Sequence, residues 1–274
     1  LVSVAWLVTG CSVIDQLRPP TVHEDVINGE ALLKMNHVQE AQNHFKLALQ
    51  DPKSDSKVYF DIVERCQRLN QHNLVIEYAK LGLESGKLKK PTEQALMHLV
   101  ASQSYSMMRN PEKSIEEAKI ANKLVPNNVE VMNNLGYSLA AAGQELDLAL
   151  ELTTKAVAMA RQQDIPKNIL GIYVDSLGWA LFQKKQYDQA LSTLVEAAQL
   201  APEHDEIHYH AGRAFMEKGK YEDAQIELER ALAIKSDNDE AAKALETVKA
   251  KRAEEELKNP PAPEEDKPRG YESI

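Results

Sequence analysis

The sequence predicts an all-α fold: about six helical hairpins in tandem, closed by one capping helix. Three observations carry this. Small and aromatic residues recur 34 positions apart, Gly178 with Gly212, Tyr187 with Tyr221, Ala190 with Ala224 and Ala197 with Ala231. The segments between turns are rich in Ala, Leu, Glu and Lys, which favour helix, while Gly is scarce at 11 of 274 residues. No run alternates Val, Ile and Thr as a half-buried strand would.

Residues 1–10, LVSVAWLVTG, form a short apolar stretch ending in small residues. A membrane-spanning helix needs about 20 apolar residues, so the stretch reads instead as the apolar part of a secretory signal. Val8-Thr9-Gly10-Cys11 resembles the lipobox of bacterial lipoproteins. That resemblance implies a diacylglyceryl group on the Cys11 thiol, cleavage before Cys11, and membrane attachment through the N-terminal lipid only. Two departures stand beside it. No initiator Met and no basic stretch precede the apolar run, so the start is expected to be truncated or misassigned. Val8 also stands where Leu is commoner. The alternative is an incidental cysteine on a frayed apolar end. Lipoproteins of this kind that carry Asp after the cysteine stay at the inner membrane, so Ser12 implies the outer membrane, facing the periplasm. Residues 11–20, with Pro19-Pro20, read as a tether. If Cys11 is acylated, Cys66 has no disulfide partner and is expected as a small buried helix residue.

The array is expected over residues 21–235. Gly29, Ala41, Phe45 and Ala48 mark the first hairpin. Residues 57–90 form a degenerate repeat in which Val75, Ala79 and Gly82 keep the register but the first helix lacks its signature. Ser102, Tyr105, Ala118, Ala121 and Pro126 mark the third hairpin. Leu135-Gly136, Ala149 and Ala156 mark the fourth, with one extra residue in its turn and a longer loop, Arg161 to Asn168, after it. The fifth and sixth are the 34-residue pair. In each, a small residue on the first helix lets the second approach, and two small residues seven apart keep one face of the second helix narrow. Pro202 stops the fifth hairpin. Residues 236–258 read as a capping helix with Asp237 or Asn238 as N-cap and a Lys/Arg/Glu-rich outer face. Residues 259–274, with four prolines and several charges, read as disordered.

The stretches NNLGYSLAAAG, VDSLGWALFQKKQYDQAL and EIHYHAGRAFMEKGKYEDAQIELERAL resemble tetratricopeptide repeats, and in particular the arrays of bacterial secreted lipoproteins. The resemblance covers nearly the whole chain after the tether. It implies a right-handed α-solenoid whose first helices, the A helices, line a concave groove. Inward positions by that analogy are Glu130, Asn133, Tyr137 and Ala140, then Ile172, Asp175, Trp179 and Phe182, then Glu206, Tyr209, Arg213 and Met216. Asn133, Tyr137, Asp175, Trp179, Phe182, Tyr209 and Arg213 are the candidate protein-binding residues. Aromatics and Arg supply most of the energy at interfaces, and Asn and Asp can fix a peptide backbone. The competing reading packs Trp179 and Tyr137 against the neighbouring A helix. Glu227 is expected on the convex, solvent-facing side.

Other chemistry is sparse. No phosphate loop, HExxH, GxSxG or CxxC pattern occurs. His204 and His208 are spaced as helix-face ligands would be, but no Cys lies near, His210 points elsewhere, and ordinary surface or groove histidines are the expectation. Glu116-Glu117 and Glu254-Glu255-Glu256 read as solvated faces. No catalytic residue, cofactor or metal is expected. A net charge of −10 with no basic block argues against nucleic acid. A small-molecule substrate is not expected either. The expected function is a lipid-anchored, periplasm-facing scaffold that binds a partner protein, in assembly of an envelope machine such as a pilus, secretion or polysaccharide-export apparatus. The alternative is an adaptor for peptidoglycan hydrolases, and an enzyme is a distant third.

Overall fold

A computed structural model describes residues 22–163 and 165–258. Cys11, the tether and the tail after residue 258 lie outside the described residues. Thirteen α-helices and no strand are found among those described. They pair as α1 (Val22–Lys34) with α2 (Val38–Gln50), α3 (Ser56–Arg68) with α4 (His72–Glu84), and α5 (Pro91–Met107) with α6 (Pro111–Leu124). Next come α7 (Val129–Ala141) with α8 (Leu146–Gln162), α9 (Lys167–Gln183) with α10 (Tyr187–Leu200), and α11 (Asp205–Glu217) with α12 (Tyr221–Ile234). The last, α13 (Asp239–Lys258), stands alone. These are the six hairpins and the closing helix that the sequence predicts. The chain divides into two compact units, Leu1–Asn134 and Leu135–Ile274, with the division inside α7.

The same device ends each A helix. The second residue beyond it adopts a left-handed conformation: Asn36, Asn70, Arg109, Gly143, Lys185 and Gly219, with φ between 53° and 67°. The next amide then reaches back to the last turn, as in His37 N–H to the Leu32 carbonyl (2.9 Å) and Lys220 N–H to the Phe215 carbonyl (3.0 Å). This is a Schellman closure, which satisfies carbonyls the helix leaves orphaned. Only two of the six positions carry Gly, and two more carry Asn, which tolerates the conformation.

In the first unit, Gly29 makes the close approach. A Cβ there would fall 2.3 Å from Phe45 Cε1. Val63 occupies the equivalent place in α3 and is buried, so the second hairpin forms without the small residue. Its compensation lies on α4, where Gly82 lets Tyr59 pack close, 3.3 Å from a virtual Cβ. Cys66 is fully buried in the core formed by Phe45, Ile62, Tyr78 and Met97. Burial, with the Glu77 charge behind it, pushes its thiol up to about 12.

In the second unit, Gly136, Gly178 and Gly212 meet Thr153, Leu194 and Leu228, each of which would lie 2.6–2.7 Å from an added Cβ. Ala190, Ala197, Ala224 and Ala231 have no exposed surface. Asn238 caps α13: its side-chain oxygen accepts from Ala241 N–H at 3.0 Å, and its amide donates to Asp205 at 3.0 Å. The helix then packs on α12 and α11 through Ala241, Ala244, Leu245 and Val248. No helix among the described residues is long and apolar enough to cross a membrane.

Candidate protein-binding face

The face lies on the A helices of the second unit. In a helix, residues three and four apart share a side. Asp175, Trp179 and Phe182 therefore line one stripe of α9, and Glu206, Tyr209, Arg213 and Met216 line the matching stripe of α11. Tyr137 comes from α7. The two stripes pack directly on each other.

Trp179 is the centre. Its indole stacks on Phe182 at 4.8 Å between centroids with 5° between planes, and on the His210 imidazole at 4.0 Å and 16°. Phe182, Trp179 and His210 thus form one continuous stack, with Tyr209 tilted against it at 6.4 Å. Tyr187 meets Phe182 edge-on at 5.4 Å. The Arg213 guanidinium closes the far end, 5.6 Å from the Phe182 ring and 5.8 Å from the Tyr209 ring. Its Nη1 donates to the Tyr209 hydroxyl at 2.8 Å. The hydrogen bond and the two neighbouring rings restrict where the guanidinium sits.

The polar end is equally tied. His210 Nδ1 lies 3.0 Å from both oxygens of Asp175. Burial works against a charged imidazole here, but Asp175 outweighs it through charge and hydrogen bond, so His210 titrates above its ordinary range. The Tyr137 hydroxyl donates to Glu206. Burial, then the Glu206 charge, hold that phenol well above its usual value.

The consequence for the candidate residues is plain. Asp175, Trp179, Phe182 and Tyr209 are each no more than 8% exposed, and they pack into one another. Tyr137 and Arg213 are half-buried, as are Ile172, Glu206 and Met216 at the rim. Asn133, in the first unit, is buried, and its Oδ1 has no hydrogen-bond partner among the described residues. The surface offered to a partner by the second unit is thus a rim around a filled aromatic cluster, with the half-buried Arg213 at its edge.

Three expectations need correcting. His208 and His210 are not surface or groove histidines: both are buried. His208 Nδ1 pairs with Glu227 at 2.6 Å and its Nε2 donates to the Pro202 carbonyl at 2.9 Å. Glu227 is therefore not solvent-facing. It bridges α12 to α11, is 13% exposed as a side chain, and also accepts from Arg230 at 2.8 Å. Glu117 is likewise not on a solvated face, because it pairs with His98 at 2.6 Å across the third hairpin. His98 with Glu117 and His208 with Glu227 share one spacing, 19 residues. That recurrence is the signal that could have found them. His204 sits at the N-cap of α11 rather than within it. A cleft of about 560 Å³ opens between α10 and α12, floored by Ala211 and Phe215 and walled by Val195, Ala198, Arg230 and Ile234. Among the described residues, no group of three or more His, Cys, Asp or Glu side chains could hold a metal ion.

Residues 181–251 match the family model described as tetratricopeptide repeat. No curated protein matches the chain in sequence. Among solved structures, a chain of the APC/C hetero-tetramer Cut9–Hcn1 is similar at 17% identity and a TM-score of 0.64, over 86% of this chain and 44% of that one. Yeast Tom70 is similar at 15% identity and a TM-score of 0.62, over 88% of this chain and 49% of that one. The chain spans about half the length of these two structures or less. At such identities the likeness is one of fold, and the fold is an array of tetratricopeptide-type helical hairpins.

Proposed function

We propose that the chain is a membrane-attached scaffold that docks a partner protein on the A-helix face of its second unit. The observation that carries the docking part is the Arg213 edge. A guanidinium within 6 Å of the Phe182 and Tyr209 rings, beside the half-buried Met216, matches the Arg-plus-aromatic composition of interface hot spots. The Cut9–Hcn1 hetero-tetramer, similar in fold, is itself an assembly of different chains. Attachment rests on Val8-Thr9-Gly10-Cys11: acyl chains on Cys11 contribute about 0.8 kcal/mol per buried CH₂, enough with two or three chains for durable anchoring. Ser12 favours the periplasmic side of the outer membrane, and assembly of an envelope machine such as a pilus or exporter is the role proposed there.

Site-specific photo-crosslinking in intact cells tests the docking part. Met216→benzoylphenylalanine is expected to trap one partner, whereas the same change at Glu222, exposed on α12, is not. Crosslinks from Glu222 alone would move the docking surface to the B helices. Labelling with a fatty acid tests the anchor: wild-type protein takes up label and Cys11→Ala does not. Absence of label in wild type removes the lipoprotein reading.

A further inference from the structure

Arg213 is half-buried, and among the described residues its guanidinium makes no ion pair; Arg252, bonded to the Gln225 side-chain oxygen, is alike in this. Arg65, Arg161 and Arg230 each pair with a carboxylate, as do Lys184 with Asp147 and Lys218 with Asp188. Acids outnumber bases by 42 to 32 in the sequence, so acidic side chains are plentiful. Arg213 has none. Its one hydrogen bond among the described residues goes to the Tyr209 hydroxyl. Two acids of this face are engaged, Asp175 by His210 and Glu206 by Tyr137, and Glu217, one turn on along α11, is exposed to solvent. A guanidinium carries five N–H donors in a rigid fork, and here one is used.

Half-burial makes this arrangement incomplete. The Phe182 and Tyr209 rings lie beside the guanidinium and remove part of its hydration without supplying a counter-charge. A partner carboxylate in the guanidinium plane would accept two parallel N–H bonds and restore that balance. The guanidinium is already tied to the Tyr209 hydroxyl, so less side-chain entropy is lost when the anion arrives. Met216, half-buried one turn along α11, provides apolar contact beside it.

We infer that the partner presents an Asp or Glu side chain, flanked by apolar residues, to Arg213. This rests on the A-helix face being the docking surface. A single carboxylate fits better than a polyanion. Arg213 is the one cation on its stripe of α11, and the half-buried Glu206 on the same stripe repels extended negative charge.

The test uses the full chain carrying Cys11→Ala and a random twelve-residue peptide library displayed on phage. Enriched peptides are synthesised and their affinity measured by fluorescence anisotropy. The expected consensus contains Asp or Glu beside apolar residues. Replacing that acid by its amide weakens binding about tenfold to a hundredfold, the loss expected for a hydrogen-bonded charge worth about 1.5–3 kcal/mol. Arg213→Gln gives the same loss, and the two changes together give no more than either alone, which identifies the pair as coupled. Affinity also falls as salt rises. Lys235→Gln, an exposed change at the C-terminal end of α12, has no effect. Enrichment of basic or neutral peptides, or losses that simply add, overturns the inference and leaves the scaffold reading standing. A library that yields no binder to the A-helix face overturns both.

Discussion

His210 Nδ1 lies 3.0 Å from each carboxylate oxygen of Asp175, and both side chains are buried. The pair joins α11 to α9 in the middle of the aromatic cluster. Asp175 and Glu206 face the imidazole with negative charge and Arg213 faces it with positive charge, and the balance raises its affinity for a proton. His208 behaves alike for a different reason: its hydrogen bond to Glu227 outweighs burial, the Pro202 carbonyl adds to it, and Arg230 opposes.

The pH dependence follows from the sign of these shifts. A histidine whose folded pKa exceeds its unfolded value binds a proton more tightly when folded. Its contribution is fully present below about 6.5, the ordinary value, and is lost as pH rises through the raised folded value. Urea unfolding midpoints are therefore expected to fall between pH 6 and pH 9. Asp175→Asn and Glu227→Gln each flatten part of that decline. Asp175→Ala, which leaves a buried imidazole without its partner, costs about 3–5 kcal/mol at pH 6. Midpoints that stay level across this range in wild type would falsify the charged-pair assignment.

Helix contacts yield a second expectation. Gly212→Val places side-chain atoms where Leu228 Cγ already lies 2.7 Å from a virtual Cβ, and Ala224→Trp forces bulk into a site with no free surface. Overpacking of this kind costs about 1–3 kcal/mol or more. Lys185→Gly acts in the opposite direction. It relieves a left-handed lysine (φ 61°) and is expected to raise stability by about 0.5–1 kcal/mol, less than the full penalty because Gly also loosens the unfolded chain. Denaturant unfolding measures all three, and a stable Ala224→Trp protein would shift the repeat register.

The hairpins were legible because their cause is local. Gly178 and Gly212, or Ala190 and Ala224, sit one repeat apart and do the same steric job in each. The A-to-B turns were less so, since Arg109 and Lys185 take the left-handed conformation without a residue type that announces it. The second hairpin read as degenerate because Val63 replaces the expected small residue, while the space is made on α4 instead. The site was legible only in register. Periodicity brings Trp179, Phe182, Tyr209 and Arg213 to one face, but whether that face is open depends on how closely α9 and α11 approach. His210 with Asp175, 35 residues apart, depends on the same distance and is invisible in one sequence.

Cys66 supplies a third expectation. Its thiol is buried and pushed up to about 12, so almost no thiolate, the reactive form, exists at neutral pH. In a Cys11→Ala background, an aromatic disulfide reagent is expected to modify the folded protein no faster than the first unit opens, and the unfolded protein at once. Rapid labelling of the folded protein at pH 8 would mean that the α3 core is looser than described.

The fourth expectation separates the cluster from its edge. Trp179 is stacked on both sides, by Phe182 and by His210, so Trp179→Ala removes a buried ring and costs about 3–5 kcal/mol. Any loss of partner capture in that variant is then partly a loss of folded structure, and it cannot by itself count the indole as a contact. Trp179→Phe keeps the stack and is expected to retain most stability. Arg213→Gln lies at the half-buried rim, gives up one hydrogen bond to Tyr209, and is expected to shift the unfolding midpoint by no more than about 1 kcal/mol. The diagnostic pattern is therefore an inversion: Trp179→Ala changes stability most, whereas Arg213→Gln changes partner capture while near-ultraviolet circular dichroism of the stacked indole, read in a Trp6→Phe background, stays at its wild-type value. If Arg213→Gln unfolds the second unit as severely as Trp179→Ala does, the guanidinium is a structural plug, and the docking edge must be sought along Ile172 and Met216 instead.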